Sequence, residues 1–237
     1  MEEKVKKTND GFPDAGENCI HCGLCAKKCP QGAITVDRKA KTWSVDQEKC
    51  IRCGICEDSC KKEAISIDRT VPKQTGPVPR SKGVLVCDES LCAGCMNCMF
   101  ACTLNKDSMA CLEIARIQMN VHTQAEFDIA AQPCLQCVEP KCLRACPTGA
   151  IQVNEKTGAR VIVEDLCIGC KSCIKACPYE IPRVRFNKYT NKATKCDLCG
   201  GDPECVKMCP TGALTYVTDP DGLRTGYEGG SLREEAE

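Results

Sequence analysis

The sequence predicts an α+β fold of three pseudo-twofold modules, each made of short helices and small antiparallel sheets around a core that something other than side-chain packing organises. Three observations predict it. Of 237 residues, 26 are cysteine, and most fall into six groups of four. Cysteine is counted in the 43% of hydrophobic residues and aromatics are only 4%. Without cysteine about a third of the chain is apolar, too little for an ordinary core. Short runs of alternating apolar and polar residues flank the groups, as half-buried strands do, so one unit repeats along the chain.

In order the groups are Cys19, Cys22, Cys25 and Cys29; Cys50, Cys53, Cys56 and Cys60; Cys92, Cys95, Cys98 and Cys102; Cys134, Cys137, Cys142 and Cys146; Cys167, Cys170, Cys173 and Cys177; and Cys196, Cys199, Cys205 and Cys209. Four of them have the spacing C-x-x-C-x-x-C-x-x-x-C. In that pattern three close thiolates take three irons of a 4Fe-4S cube and the fourth cysteine ligates a different cluster. Six 4Fe-4S clusters are therefore expected. The intervals Cys137 to Cys142 and Cys199 to Cys205 are longer, and taken alone these groups also suit tetrahedral zinc. Their endings argue for iron-sulfur, since Pro147 and Pro210 follow the last cysteines and Thr-Gly-Ala follows each proline. Cys87 and Cys111 fall outside the groups and read as small buried hydrophobes.

Such a cysteine density also occurs in disulfide scaffolds of small secreted proteins. The opening MEEKVKKTND has no apolar stretch and no twin arginine, and no run approaches the ~20 apolar residues of a membrane span. A soluble, cytoplasmic protein is expected, with its cysteines reduced and binding metal. Metal-binding free energy then becomes folding free energy, so the apoprotein is expected to be largely unfolded. The formal net charge is +0. Six clusters with their thiolates would bring it to about −12, which disfavours nucleic acid as a partner. Lys27, Lys28, Lys61, Lys62, Lys171, Lys175, Lys195 and Lys207 lie in or beside the groups, placed to offset that charge.

Along the chain, residues 1–18 are polar and expected to be poorly ordered. Strands are expected at 33–37, 42–45 and 64–68, with Trp43 as a hydrophobic lid over a cluster. Residues 71–82 hold three prolines and little apolar content, a linker signature. Further strands are expected at 84–86, 160–163 and 184–186 ahead of cysteine groups, and at 150–153 and 213–217 after them. Gly23, Gly54, Gly94 and Gly169 fit close approach of backbone to a cluster. The expected domains are 1–70, the linker 71–82, a four-cluster domain at 83–217 and a glycine-containing acidic tail at 218–237.

Residues 15–70, with their two groups of identical spacing, closely resemble the bacterial two-cluster ferredoxins. The resemblance implies a ferredoxin-like fold with a cluster-organised core and crossed ligation: Cys19, Cys22, Cys25 and Cys60 on one cluster, Cys50, Cys53, Cys56 and Cys29 on the other. Lys61 stands where a proline usually follows. Residues 83–217 resemble the four-cluster electron-transfer subunits of molybdenum and tungsten oxidoreductases. That resemblance implies the sets Cys92, Cys95, Cys98 and Cys209; Cys196, Cys199, Cys205 and Cys102; Cys134, Cys137, Cys142 and Cys177; and Cys167, Cys170, Cys173 and Cys146. Cys102 precedes Thr103 without the proline. Thr103-Leu104-Asn105, Ile114-Ala115-Arg116-Ile117 and residues 195–207 look most like small subunits of the aldehyde:ferredoxin oxidoreductase and class II benzoyl-CoA reductase group.

The implied function is electron relay between a tungsten or molybdenum pterin catalytic subunit and a soluble ferredoxin or another redox subunit, in cytoplasmic, anaerobic systems. No G-x-G-x-x-G after a strand, Walker-type loop or C-x-x-C-H is present. His21 and His122 are the only histidines, and His21 sits inside a cysteine group, where it tunes or shields a cluster. No catalytic residue is expected and the chain is not an enzyme by itself. Alternatives are a free-standing polyferredoxin, a subunit of a hydrogenase or carbon monoxide dehydrogenase, and a zinc-bearing structural protein.

Overall fold

The computed structural model describes residues 11–69, 71, 74–122 and 128–218. The expectations for residues 1–10 and for the tail from 219 onward, and the side chain of His122, lie outside the described residues. The first cysteine groups are framed by β1 (Asp14–Ala15), α1 (Leu24–Lys28), β2 (Ile34–Asp37), β3 (Thr42–Val45), α2 (Ile55–Asp58) and β4 (Ile65–Ser66). Strands β1 and β4 pair antiparallel, as do β2 and β3. Residues 11–18 thus depart from the expected disorder: Ala15 lies opposite Ile65, and Gly16 N–H donates to Ala64 O at 2.8 Å. The short β4 needs a partner for its ladder groups, and the segment ahead of Cys19 supplies it.

The longer region contains β5 (Val84–Cys87), α3 (Asn97–Asp107), β6 (Gln118–His122), β7 (Asp128–Gln132), α4 (Lys141–Arg144), β8 (Ile151–Val153), β9 (Arg160–Ile162), α5 (Ser172–Lys175), β10 (Val184–Asn187), β11 (Lys192–Lys195), α6 (Glu204–Lys207) and β12 (Leu214–Val217). Its two-stranded antiparallel sheets are β6–β7, β8–β9, β10–β11 and β5–β12. The last joins the two ends of the region, with Val84 opposite Val217 and Cys87 opposite Leu214, so the third and sixth cysteine groups meet. The hairpin β6–β7 and strand β11 add to the expected strands. In β6 the alternation Gln118, Met119, Asn120, Val121 carries the strand signal.

Buried residues form three cores, and each contains cysteines. One holds Cys25 and Cys56 with Ile34 and Ile65. A second holds Cys142, Cys146, Cys167 and Cys173 with Leu143, Ile151 and Val184. The third holds Cys98, Cys102 and Cys205 with Leu85, Ile117, Leu198 and Leu214. Helices pack in the same pairs: α1 on α2, α4 on α5, α3 on α6.

The proline-rich stretch lies against the longer region. Arg144 Nη1 donates to Thr75 O at 2.8 Å, Lys82 N–H donates to Thr157 O at 2.8 Å, Ser81 is buried, and Val78 packs on the second core. Arg69 ties the ferredoxin-type half to it, donating to Pro147 O and pairing with Glu57 and, at 2.8 Å, with Asp58.

This docking generates a test. Gly158 has φ +70°, and a Cβ there would stand 2.5 Å from Arg80 O and 2.8 Å from Ser81 Cα. Gly32 has φ +60° with nothing within 4 Å. Gly32→Ala should cost only the left-handed backbone penalty, about 1–2 kcal/mol. Gly158→Ala should cost about 3 kcal/mol or more, because two backbones must part. Anaerobic thermal unfolding of the holoprotein compares them, and equal midpoints for the two variants would refute the docking account.

Candidate metal centres

Cavities gather the cysteines into sets that cross between sequence groups. A cavity of about 330 Å³ is lined by Cys29, Cys50, Cys53 and Cys56. One of about 310 Å³ is lined by Cys146, Cys167, Cys170 and Cys173, and one of about 330 Å³ by Cys102, Cys196, Cys199 and Cys205. A wider one, about 870 Å³, is lined by Cys19, Cys22, Cys25 and Cys60, with His21 and Trp43 on its walls. The sulfurs of Cys92, Cys95 and Cys209 act on Cys98, and those of Cys134, Cys137 and Cys177 act on Cys142. Every one of the 24 group cysteines thus stands with three others, and all 26 cysteines are free of disulfides.

Local structure explains how each set converges. The third cysteine of every group is carried on a helix: Cys25 on α1, Cys56 on α2, Cys98 on α3, Cys142 on α4, Cys173 on α5 and Cys205 on α6. The second cysteine of four groups sits between two left-handed residues, His21 and Gly23, Arg52 and Gly54, Gly94 and Met96, Gly169 and Lys171, with φ between 51 and 78°. Successive left-handed and right-handed turns aim peptide N–H groups to one side and build a nest for an anion. The sequence flagged only the glycines, because nothing in the letters marks His21, Arg52, Met96 or Lys171 as left-handed.

The fourth cysteine of each group accepts backbone N–H. Ala33 donates to Cys29 Sγ at 3.3 Å, Ala64 to Cys60 at 3.3 Å, Ala150 to Cys146 at 3.2 Å, Arg116 to Cys102 at 3.4 Å and Arg183 to Cys177 at 3.2 Å. At Cys209 burial raises the thiol pKa, but the Leu214 amide, the Thr211 hydroxyl and the amides of Thr211 and Ala213 outweigh it and hold the pKa below its ordinary value. At six other cysteines burial wins, with neighbouring thiols adding to it: Cys56, Cys98, Cys173 and Cys205 are pushed up to about 12, and Cys53 and, against the pull of Lys195, Cys142 to about 11. Such thiols keep their protons until a metal displaces them.

The surroundings fit an anionic cluster. Arg160 is 0% exposed, its Nη1 donates to Gly158 O at 2.6 Å, and its Nε and Nη2 have no partner among the described residues. A buried guanidinium left without an anion is strongly unfavourable. Cys134, Cys137 and Cys142 face it, and a cluster on them, about −2 with its thiolates, would supply the missing charge. Among the described residues no three cysteine, histidine or carboxylate side chains are grouped to hold a single metal ion. A cube, in which each thiolate takes its own iron, suits four soft sulfur donors that converge from two groups.

The candidate lysines divide. Lys195 is buried, and its Nζ donates to Cys134 Sγ at 2.7 Å. Lys207 engages Asp202 at 2.5 Å and Glu204 at 2.8 Å, and Lys171 lies over the Phe186 ring at 4.1 Å. Lys27, Lys28, Lys61, Lys62 and Lys175 are exposed. Arg160, Arg183 and Gln136 were not anticipated; an arginine inside the apolar run 159–163 is the one signal that could have found any of them. Cys87 packs against the third core, and burial, with Cys92 nearby, pushes its thiol up to about 11. Cys111 is half-buried just before the turn Leu112–Ile114.

The sets also influence one another electrostatically. Cys170 acts on Cys53, Cys142 on Cys173, Cys134 on Cys196 and Cys98 on Cys205. These links join five sets, from that of Cys53 to that of Cys92, Cys95, Cys98 and Cys209, and the set of Cys19, Cys22, Cys25 and Cys60 adjoins the first of them in the core that Cys25 and Cys56 share. Cys22 and Cys95, the exposed cysteines, belong to the sets at the two ends.

Comparison with known proteins gives the class of protein. Residues 125–219 match a 4Fe-4S dicluster domain family, and residues 18–64 and 49–106 match a second 4Fe-4S dicluster domain family. The chain therefore carries iron-sulfur dicluster domains of the ferredoxin type. Among curated relatives, the polyferredoxin-like subunit of an aliphatic sulfonate oxidoreductase from Pyrococcus furiosus is 38% identical over 102 residues, 41% of this chain and 55% of the relative. The NrfC homolog of Haemophilus influenzae is 37% identical over 118 residues, covering 48% and 51%. The ferredoxin-like protein YdhY of Escherichia coli is 34% identical over 133 residues, covering 51% and 63%. The chain thus spans half to somewhat under two thirds of these relatives. The BamBC active-site complex of benzoyl coenzyme A reductase is a solved structure with 18% identity and a TM-score of 0.34, covering 59% of this chain and 80% of that one. A likeness that loose carries no argument.

The crossing of sets is directly testable. Cys146→Ser should perturb the centre bounded by Cys167, Cys170 and Cys173, and leave intact the one bounded by Cys134, Cys137 and Cys142. Cys87→Ser and Cys111→Ser should leave the iron content unchanged. Mössbauer and EPR spectra of the purified variants check both, and loss of a whole centre from Cys87→Ser would overturn its reading as a packing residue.

Proposed function

We propose that this chain is an electron-transfer subunit carrying six 4Fe-4S clusters, relaying single electrons between a catalytic tungsten or molybdenum pterin oxidoreductase subunit and another redox partner such as a soluble ferredoxin. The observation that carries the reading is the gathering of 24 cysteines into six four-cysteine sets that cross between sequence groups, with an exposed cysteine in the set of Cys19 and in that of Cys92. When bound, the clusters supply one-electron redox chemistry and nothing else is required of the chain. Its residues position, charge-balance and insulate. The left-handed nests and the amides on the fourth cysteines stabilise anionic centres; Trp43 and the aliphatic core residues keep water off them.

Partner contact is proposed at both ends. Ile20, 61% exposed, adjoins Cys19, while Leu91 at 50% and Met208 at 55% adjoin Cys92 and Cys209. Exposed apolar side chains beside an exposed centre are what a docking partner covers. The sulfonate oxidoreductase subunit among the relatives favours a stable complex over a free-standing carrier. No helix among the described residues is long and apolar enough to cross a membrane. The proposed domains are 1–70 and 83–217 joined by 71–82, with the sets as given, in a cytoplasmic complex.

Anaerobic iron and sulfide analysis should approach about 24 irons per chain; a fully reconstituted sample settling near about 16 would remove one pair of assignments. Purification from the native host should recover a pterin-containing subunit carrying tungsten or molybdenum. Recovery with a nickel-iron hydrogenase or a carbon monoxide dehydrogenase, or as a lone polypeptide, would refute the partner.

A further inference from the structure

The sets differ in one respect that bears on electron flow, the fate of the cations around them. Beside Cys102 and Cys199 stand Arg116 and Lys106, and each is neutralised: Arg116 pairs with Asp107 at 2.5 Å, and Lys106 with Asp197 at 2.6 Å. Beside Cys53 the guanidinium of Arg69 is held by Glu57 and Asp58. Near Cys167 and Cys170, Lys171 is exposed over the Phe186 ring and Lys192 donates to the Cys167 carbonyl. Beside Cys22, Arg38 donates to the Cys22 carbonyl, and beside Cys53, Arg52 lies over the Phe12 ring, so these four contacts are with carbonyls and rings, not with a cysteine sulfur.

Around Cys134, Cys137, Cys142 and Cys177 the pattern reverses. Lys195, 5% exposed, donates to Cys134 Sγ at 2.7 Å and to Gln136 Oε1 at 3.4 Å. Arg160, wholly buried, donates to Gly158 O and is faced by Cys134, Cys137 and Cys142. Arg183 donates to Gln132 Oε1, lies over the Tyr179 ring at 5.2 Å, and is faced by Cys177, Cys134 and Cys137. Its Nε and Nη1 are buried without a partner among the described residues. None of the three has a carboxylate partner among the described residues. Gln136, 1% exposed, holds the arrangement by accepting from the Arg160 amide at 2.9 Å and donating to Cys196 O at 3.0 Å.

We infer that the centre held by Cys134, Cys137, Cys142 and Cys177 has the most positive reduction potential of the six, and that Lys195, Arg160 and Arg183 are the positioning residues that set it. Reduction adds one electron to a centre already anionic, taking it from about −2 to about −3 with its thiolates. Fixed, unscreened positive charge favours that reduced state in a low-dielectric interior. The electron comes from either neighbouring set, through Cys173 on one side and Cys196 on the other, so this interior centre is where an electron rests between arrival and departure. The inference rests on the six-cluster reading.

The experiment is an EPR-monitored potentiometric titration of the holoprotein, wild type against Lys195→Met, Lys195→Arg and Arg183→Gln. In Lys195→Met the most positive step should move down, so that at its former midpoint the ratio of reduced to oxidised centre falls about tenfold, or 59 mV for a one-electron couple. Lys195→Arg keeps the charge and should move that step by less than half as much. Arg183→Gln should move the same step down by a smaller amount, with iron content unchanged. Movement of a different step, equal shifts from the Met and Arg variants, or a different step responding to Arg183→Gln would each overturn the inference. If Lys195→Met fails to assemble the centre, Arg183→Gln decides it, since its most positive step must fall. A wild-type preparation without iron and acid-labile sulfide would instead overturn the reading beneath it.

Discussion

The structure depends on one constraint: cysteines from two separate parts of the chain converge on one cavity. Three come from a single loop and the helix after it, and the fourth arrives from another group after its own helix. This crossing ties α1 to α2, α4 to α5 and α3 to α6, and the three cores are the interiors of those pairs. Sheets of two strands and helices as short as four residues have too little apolar surface to hold such loops together. Metal binding supplies the difference.

Converging thiolates bring a second requirement, since buried negative charge must be answered by donors and cations. The chain answers in two ways. Backbone amides serve every set through N–H groups on the fourth cysteine, and four of them also through nests around the second. These cost no side chain and repeat with the fold. Cationic side chains serve sets unequally, and where a carboxylate takes the cation, as Asp107 takes that of Arg116, the centre gains little. Where none does, as at Arg160, a cluster on Cys134, Cys137 and Cys142 would be the counter-ion. Identical ligands can thereby hold centres of different potential.

The relation between the two halves follows the same logic. A flexible tether would let the sets drift apart, yet Arg69 reaches Pro147 O and the stretch 74–82 lies along the longer region. The result brings Cys53 within electrostatic reach of Cys170. Proline content signalled stiffness there, and the docking onto Thr157 and Gly158 adds a surface that composition does not describe.

The grouping of cysteines was legible in the letters, because the spacing that brings three thiols of one group together is set within a dozen residues. Most strands were legible too, since alternation at 34–37, 42–45 and 214–217 reports a half-buried face. Strand β1 was not, because two residues carry no period and their pairing depends on β4 fifty residues away. Left-handed conformations at Arg52, Met96 and Lys171 were hidden because the cavity, not the residue type, imposes them. Most hidden of all was the separation of Lys195 and Arg160 from the other basic residues. Sequence determined which cysteines can hold metal, while tertiary structure decided which sets adjoin and which charges go unanswered, because those depend on distances between residues remote in the chain.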